Sequence, residues 1–139
     1  MDVNITRVLL ADDDSDFNAG LVAMLELQPS IELIGVALDG REVIIAAKKH
    51  QPDVILMDVR MPEFDGLMET KFLSEISPQT RIIALSSLIE RDHVKDMLDA
   101  GAVGYVSKSR AHIDVVTAIN AALSDHFFMS PNIDSSVLR

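Results

Sequence analysis

The sequence predicts a single doubly wound α/β domain, in which helices cover both faces of a parallel sheet. Short apolar segments rich in β-branched residues alternate with longer segments that have the apolar spacing of a helix. Turn-forming pairs, such as Asp39-Gly40 and Ser77-Pro78, stand at the joints between these segments. The chain has 139 residues, which is enough for one domain with a substantial core.

The predicted strands are runs in which apolar residues follow one another with few interruptions. Runs of this kind are typical of strands that are buried on both faces of a parallel sheet. They lie at residues 5–11, 31–38, 53–58, 81–86 and 102–107. Consecutive strand–helix units with right-handed crossovers predict a five-stranded parallel sheet.

The segments between the strands place apolar residues three and four positions apart, as on one face of a helix. Asp14 or Ser15 is expected to cap the first helix at its N-terminus. The predicted buried faces of the first, fourth and last helices are Phe17, Leu21, Met24 and Leu25; Val94, Met97 and Leu98; and Ile113, Val116 and Leu123. Residues 127–139 fall outside the pattern, so we expect a domain of residues 1–126 followed by a tail.

Composition excludes several classes of protein. The formal net charge is −10, so we expect no direct binding of DNA, which is itself densely negative. No apolar run approaches the roughly 18 residues that a membrane-spanning helix needs, and the N-terminus lacks the pattern of a signal peptide. The absence of Cys excludes disulfides and thiolate chemistry and suits a cytoplasmic protein.

Polar residues stand where the predicted strands end. Asp12 and Asp13 follow the first strand, Asp58 ends the third, and Ser86 and Lys108 end or follow the last two. Because ligands of doubly wound sheets bind at the carboxyl ends of the strands, we expect these groups to converge. Each taken alone has a structural explanation, as a helix cap, a turn residue or a solvated lysine. Together they indicate a site.

Acids clustered at one edge of a sheet favour a bound cation. Two unit charges about 4 Å apart repel by roughly 4 kcal/mol at an effective dielectric near 20. Carboxylate ligands without His or Cys point to Mg²⁺. A carboxylate beside Mg²⁺, with Lys and Ser at hand, can take up a phosphoryl group by attacking phosphorus. This chemistry would explain why the apolar run of the third strand stops at Asp58.

From residue 5 to about 125 the chain resembles the receiver domain of two-component response regulators. The resemblance rests on the pair Asp12-Asp13, "MDVRMPEFDG" around Asp58, "ALSS" with Ser86, and "AGAVGYVSK" with Tyr105 and Lys108. It implies a flavodoxin-like fold with strand order 2-1-3-4-5. It also implies a regulatory protein, which catalyses only its own phosphorylation and dephosphorylation.

The resemblance assigns roles at the acidic site. Asp58 would be the phosphoacceptor, supplied by a histidine kinase or by a small donor such as acetyl phosphate. Mg²⁺ would be held by Asp13, Asp58 and the backbone carbonyl of Arg60, with Asp12 acting mainly through a bound water.

The resemblance also assigns the switch. Ser86 and Lys108 would hold the phosphoryl oxygens, and Tyr105 would change rotamer together with Ser86. The altered surface, residues roughly 90–125, would form a homodimer or release an output domain. The tail resembles the linker that precedes a LuxR-type helix-turn-helix, so DNA would be bound only through an output domain that follows. We expect the chain to be the receiver portion of such a transcription factor; the alternative is a regulator that ends here.

Two departures from the family pattern affect the site. Most receivers have Pro after the lysine that corresponds to Lys108, often in a cis bond, whereas this chain has Ser109. A cis bond before a residue other than proline costs about 2.5–4 kcal/mol, so we expect a trans bond. Arg60 and Leu88 occupy positions that border the path of the hydrolytic water in this family.

Other functions remain open at this point. The main alternative is a receiver fold that signals by binding alone, without phosphorylation. A Mg²⁺-dependent phosphatase would carry its nucleophile after the first strand in an Asp-x-Asp motif, a spacing that Asp12 and Asp14 supply without the surrounding sequence. A flavin site is disfavoured, because a phosphate would meet the carboxylates of residues 12–14.

Overall fold

Alternating strands and helices run through the whole described chain, as the apolar pattern predicts. The structure is a computed structural model that describes residues 4–61, 65–134 and 136. The strands are β1 (Thr6–Ala11), β2 (Ile31–Ala37), β3 (Val54–Asp58), β4 (Arg81–Ser86), β5 (Gly104–Ser107) and β6 (Phe128–Met129). The helices are α1 (Ser15–Glu26), α2 (Gly40–His50), α3 (Gly66–Ile76), α4 (Arg91–Ala100) and α5 (Ala111–Leu123), and a single 3-10 turn covers Lys108–Arg110.

All neighbouring strands of the described sheet are parallel, in the order β2-β1-β3-β4-β5-β6. The predicted order of the first five strands is therefore confirmed. The chain places β2 on one side of β1 and all later strands on the other, so the strand order reverses between β1 and β3. The carboxyl ends of β1 and β3 border the crevice that this reversal creates.

The two faces of the sheet carry separate cores. Side chains alternate along β1, so that Val8 and Leu10 face one core and Leu9 faces the other. Helices α1 and α5 cover the first face, and α2 and α3 cover the second. A third cluster beside β5 contains residues of α4. The predicted doubly wound arrangement is confirmed.

The first helix follows its prediction closely. Asp14 is the N-cap, and its side chain accepts hydrogen bonds from the backbone N–H groups of Asp16 and Phe17. Leu21 and Leu25 are buried, as expected for the inner face.

The predicted inner face of the last helix is wrong. Ile113 is 58% exposed and Leu123 is 38% exposed. The buried face of α5 consists of Ala111, Asp114, Val115, Ala118, Ile119 and Ala122. Small residues can approach the sheet closely, and Asp114 is buried with hydrogen-bond partners, so a search for large apolar side chains selects the wrong face.

The residues after α5 are packed against the domain, whereas the sequence pattern suggests a tail outside it. The sequence suggests that residues beyond about 126 are left over, yet Phe128 and Met129 form β6 at the edge of the sheet. Ser130 and Ile133 are buried. The predicted boundary at 126 therefore falls just before a strand that is paired with β5. Pro62 to Phe64 of the motif around Asp58 lie outside the described residues.

Candidate functional site

Asp12 lies directly beyond β1, and its backbone is held from two sides. Its N–H donates to the carbonyl of Ala37 at 3.0 Å, which continues the pairing with β2. The Asn18 side-chain amide donates to the Asp12 carbonyl at 2.8 Å. The Asp12 carboxylate accepts from the N–H of Asp14 at 2.9 Å and has no exposed surface. The start of α1 therefore fixes this carboxylate at the sheet edge.

Asp58 ends β3 and is 4% exposed. Burial raises the pKa of its carboxyl to about 6, because the ionised form loses hydration. A hydrogen bond from the Arg60 N–H to Oδ1, at 3.1 Å, opposes the rise. The negative charge of the neighbouring Asp12 raises the pKa of Asp58 further, and the positive charge of Lys108 lowers it.

Lys108 brings the positive charge to both carboxylates. Its Nζ lies 2.6 Å from Oδ2 of Asp12 and 3.2 Å from Oδ2 of Asp58. Burial alone would lower the pKa of Lys108, but the contacts with the two carboxylates outweigh burial and raise it. The ammonium also lies 4.9 Å from the centre of the Phe17 ring, within the range of a cation–π interaction.

The three predicted carboxylates come together. Asp12, Asp13 and Asp58 each offer one oxygen, and these oxygens lie within 4.8 Å of one another. Oδ2 of Asp12 accepts no aligned hydrogen bond from the described residues, although Lys108 is close to it. Buried and exposed carboxylate oxygens without His or Cys form a donor set that fits a hard divalent cation. The residues present therefore fit a metal site.

Ser86 and Tyr105 meet at the backbone of Leu88. The Ser86 hydroxyl accepts a hydrogen bond from the Leu88 N–H at 2.9 Å. The Tyr105 hydroxyl donates to the Leu88 carbonyl at 2.5 Å, and the side chain has no exposed surface. Burial raises the pKa of this phenol. Tyr105 thus occupies an inward position, the one that the switch hypothesis associates with phosphorylation.

The loop after Lys108 agrees with its predicted geometry. No peptide bond among the described residues is cis, so the predicted trans bond to Ser109 is confirmed. The Ser109 hydroxyl lies 3.0 Å from that of Ser107. Arg60 and Leu88 both line a cavity of about 410 Å³ beside the site.

Sequence reasoning missed two residues that support the site. The helical spacing places Phe17 only in the core of α1, yet its ring lies beneath Lys108. The sequence pattern gives Asn18 no role, although it is buried and holds the backbone of Asp12. Asn18 lies next to the apolar positions of α1, and a polar amide at such a place in the sequence can indicate a buried hydrogen bond. The sequence carries no comparable sign that Phe17 contacts Lys108.

Comparison with known proteins agrees with this geometry. The sequence model of the response regulator receiver domain matches residues 8–120. The transcriptional regulatory protein LiaR of Bacillus subtilis is 40% identical over 131 residues, which are 94% of this chain and 60% of LiaR. The response regulator protein VraR of Staphylococcus aureus is 32% identical over 127 residues, which are 91% of this chain and 61% of VraR.

A solved structure covers almost the whole chain. The crystal structure of a LuxR-family two-component response regulator from Aurantimonas sp. SI85-9A1 superimposes with a TM-score of 0.90 at 27% identity, over 97% of this chain and 96% of that one. The chain spans about three fifths of the length of the curated relatives named above. None of the helices in the described ranges combines the length and the apolar character needed to cross a membrane. The family match, the strand order and the converging strand-end residues agree, and the chain belongs to the response regulator receiver domain family.

Proposed function

We propose that this chain is a phosphorylation-controlled switch that accepts a phosphoryl group on Asp58. The observation that carries the proposal is the contact of one ammonium, that of Lys108, with both Asp58 and Asp12. A nucleophilic carboxylate, a partner carboxylate and a cation within reach of the incoming charge are the groups that phosphoryl transfer requires.

The transfer forms a bond between an Asp58 carboxylate oxygen and phosphorus. The bond from phosphorus to the histidine nitrogen of a kinase, or to the oxygen of acetyl phosphate, breaks, and the leaving group keeps the electron pair. With a pKa of about 6, Asp58 is mostly ionised at neutral pH and can attack. Lys108 leaves its position between the carboxylates to pair with a phosphoryl oxygen. The Ser86 hydroxyl donates a hydrogen bond to a second phosphoryl oxygen.

Mg²⁺ would be held by Asp13, Asp58 and the backbone carbonyl of Arg60, with Asp12 acting mainly through a bound water. When bound, it supplies positive charge that stabilises the oxygens of the transferring phosphoryl group. The support for this assignment is the closeness of the three carboxylates and their chemistry as hard donors.

The output of the switch is a change in packing around Ser86 and Tyr105, which alters the surface of residues 90–125. The partners are a sensor histidine kinase, a second copy of this chain, and DNA through an output domain in the longer protein. The site of action is the cytoplasm. Relatives that are transcriptional regulators support a role in the control of transcription.

The alternative is a receiver-fold module that signals by binding alone, without phosphorylation. Such a module would have no need of the carboxylates of Asp13 and Asp58 or of the Lys108 ammonium beside them.

Intact mass after incubation with acetyl phosphate and Mg²⁺ separates the two candidates. We expect one added phosphoryl group on the wild-type chain and none on Asp58→Asn, since an amide is nearly isosteric but a poor nucleophile. Asp92→Asn, on the exposed surface of α4, serves as the control and should be labelled like the wild type. A wild-type chain that gains no mass under these conditions favours the module.

A further inference from the structure

The chain beyond α5 is docked on the edge of β5. Strand β6 pairs in parallel with Gly104 and Tyr105, and the Ser130 N–H extends the pairing by donating to the Tyr105 carbonyl at 3.0 Å. Ser130 is 1% exposed and Ile133 is 6% exposed. Residues 128–133 are called the C-terminal strap below.

A buried hydrogen-bond network fastens the strap to α5 and to the end of β5. The Ser130 hydroxyl donates to Oδ2 of Asp114 at 2.8 Å and accepts from the Ser107 N–H at 3.0 Å. Asp114 is buried and also accepts from Nε of Arg110 at 2.9 Å. If the strap undocked, the buried Asp114 carboxylate would lose a hydrogen-bond donor and the buried Ser107 N–H would lose its acceptor. The contact is therefore specific rather than incidental.

The strap also contacts Ser107, the residue that precedes Lys108. The Asn132 side-chain amide donates to the Ser107 hydroxyl at 3.1 Å, and this hydroxyl lies 3.0 Å from that of Ser109. Lys108 stands between these two serines in the chain, with its ammonium 3.2 Å from Asp58. A displacement of Lys108 at the acidic site can therefore reach the strap through Ser107, which contacts the strap directly, and through Ser109, which contacts Ser107.

Ile133 and Met129 connect the strap to Tyr105. Ile133 belongs to the same buried cluster as Tyr105, and Met129 packs against that cluster. Met129 is also the residue that pairs with Tyr105 across the sheet edge. A Tyr105 ring that turned outward would leave the cluster that it shares with Ile133 and that Met129 packs against. The inward ring and the docked strap therefore belong to one packing.

We propose that the C-terminal strap is a second moving part of the switch, docked on β5 when Tyr105 is inward and displaced when it is outward. The inference rests on the proposed function, because a phosphoryl group on Asp58 is what would draw Ser86 away and hold Tyr105 inward. Phosphorylation then tightens the strap against the sheet. Coupling of this kind is reciprocal, so the docked strap must in turn favour occupation of the site. The docked strap also closes the edge of β5 to any other strand.

Amide hydrogen exchange with a phosphoryl mimic tests this coupling. Beryllium fluoride with Mg²⁺ is the mimic, and ¹⁹F NMR reports its binding independently of exchange. We expect exchange at the amides of Ser130 and Ser107 to slow by about fivefold or more when the mimic binds, a typical size for coupling between sites.

Two variants test the reciprocal effect. Ile133→Ala and Ser130→Ala are each expected to speed exchange in the strap and to weaken binding of the mimic by about fivefold. Ile45→Ala is the matched control, since Ile45 is 55% exposed on α2, and it should change neither quantity.

The outcomes separate this inference from the proposed function. If the mimic binds while exchange in the strap stays unchanged, the coupling is overturned and Asp58 can still be the phosphoacceptor. If strap variants bind the mimic as tightly as the wild type, the coupling is likewise overturned. If the wild-type chain does not bind the mimic at all, both the proposed phosphoryl site at Asp58 and its coupling to the strap are overturned.

Discussion

The ammonium nitrogen of Lys108 lies 2.6 Å from Oδ2 of Asp12, a carboxylate without exposed surface. The same nitrogen is 3.2 Å from Asp58. Carboxylates at the ends of neighbouring strands repel each other strongly when water is excluded. Lys108 therefore stabilises the acidic site in the form described here.

Removal of this ammonium should destabilise the fold. In the presence of a chelator at pH 7.5, we expect Lys108→Met to lower the free energy of unfolding by roughly 1–3 kcal/mol, because two buried carboxylates lose their cation. Lys95→Met is the control, since Lys95 forms a solvent-exposed pair with Asp99 and its loss should change the free energy of unfolding far less. Urea denaturation measures both. Equal losses in the two variants would contradict the role given to Lys108.

Mg²⁺ should stabilise the unphosphorylated domain by relieving repulsion among the carboxylates. At ten times the dissociation constant, a ligand that binds only the folded state adds about 1.4 kcal/mol. We expect Asp13→Asn to remove most of the shift in melting temperature between chelator and Mg²⁺. Asp92→Asn should retain it. A wild-type melt that is the same with chelator and with Mg²⁺ would rule out the metal site.

Ionisation of Asp58 should make the free energy of unfolding depend on pH. Burial raises its pKa from 3.8 to about 6, so the folded chain binds this proton more readily than the unfolded chain does. Ionisation of Asp58 therefore weakens the fold as pH rises from about 4 to 6, and the full cost remains above 6. We expect Asp58→Asn to raise the free energy of unfolding by about 1–3 kcal/mol at pH 7.5, and the gain to vanish near pH 4. Chelator-treated protein in urea gives both values; a gain independent of pH would be inconsistent with this explanation.

Two glycines should respond oppositely to the same substitution. A Cβ at Gly104 would lie 3.3 Å from the Phe128 carbonyl oxygen, so Gly104→Ala should push β6 away and cost about 1 kcal/mol. A Cβ at Gly20 would meet no atom within 4 Å, so Gly20→Ala within α1 should stabilise by about 0.5–1 kcal/mol. Thermal melts compare the two. A strap that still exchanges slowly in Gly104→Ala would show that the close approach is not needed for docking.

The sheet and the strand-end residues could be predicted because both follow from local pattern and simple geometry. Buried parallel strands are continuous apolar runs, and their carboxyl ends must meet at one edge. This geometry alone groups Asp12, Asp58 and Lys108 at one edge of the sheet. The strand order came from the family resemblance rather than from the apolar pattern.

The last helix and the strap could not be predicted in this way. Asp114 is buried because Arg110 and Ser130 satisfy it, and that partnership depends on tertiary structure. Strand β6 has two residues, too few to show a period, and the short apolar run at 127–129 was its only local sign. The position of Phe17 beneath Lys108 likewise depends on how α1 packs against the end of β5.

The central claim, that Asp58 is the residue that carries the phosphoryl group, is tested most directly by trapping the acyl phosphate. The chain is incubated with acetyl phosphate and Mg²⁺ and then reduced with borohydride, which converts the phosphorylated carboxyl carbon to an alcohol and leaves homoserine at that position. Peptide mapping by mass spectrometry then locates the change. We predict homoserine at position 58 and unmodified Asp at positions 12 and 13. Homoserine at position 12 or 13 with Asp58 unmodified would contradict the account.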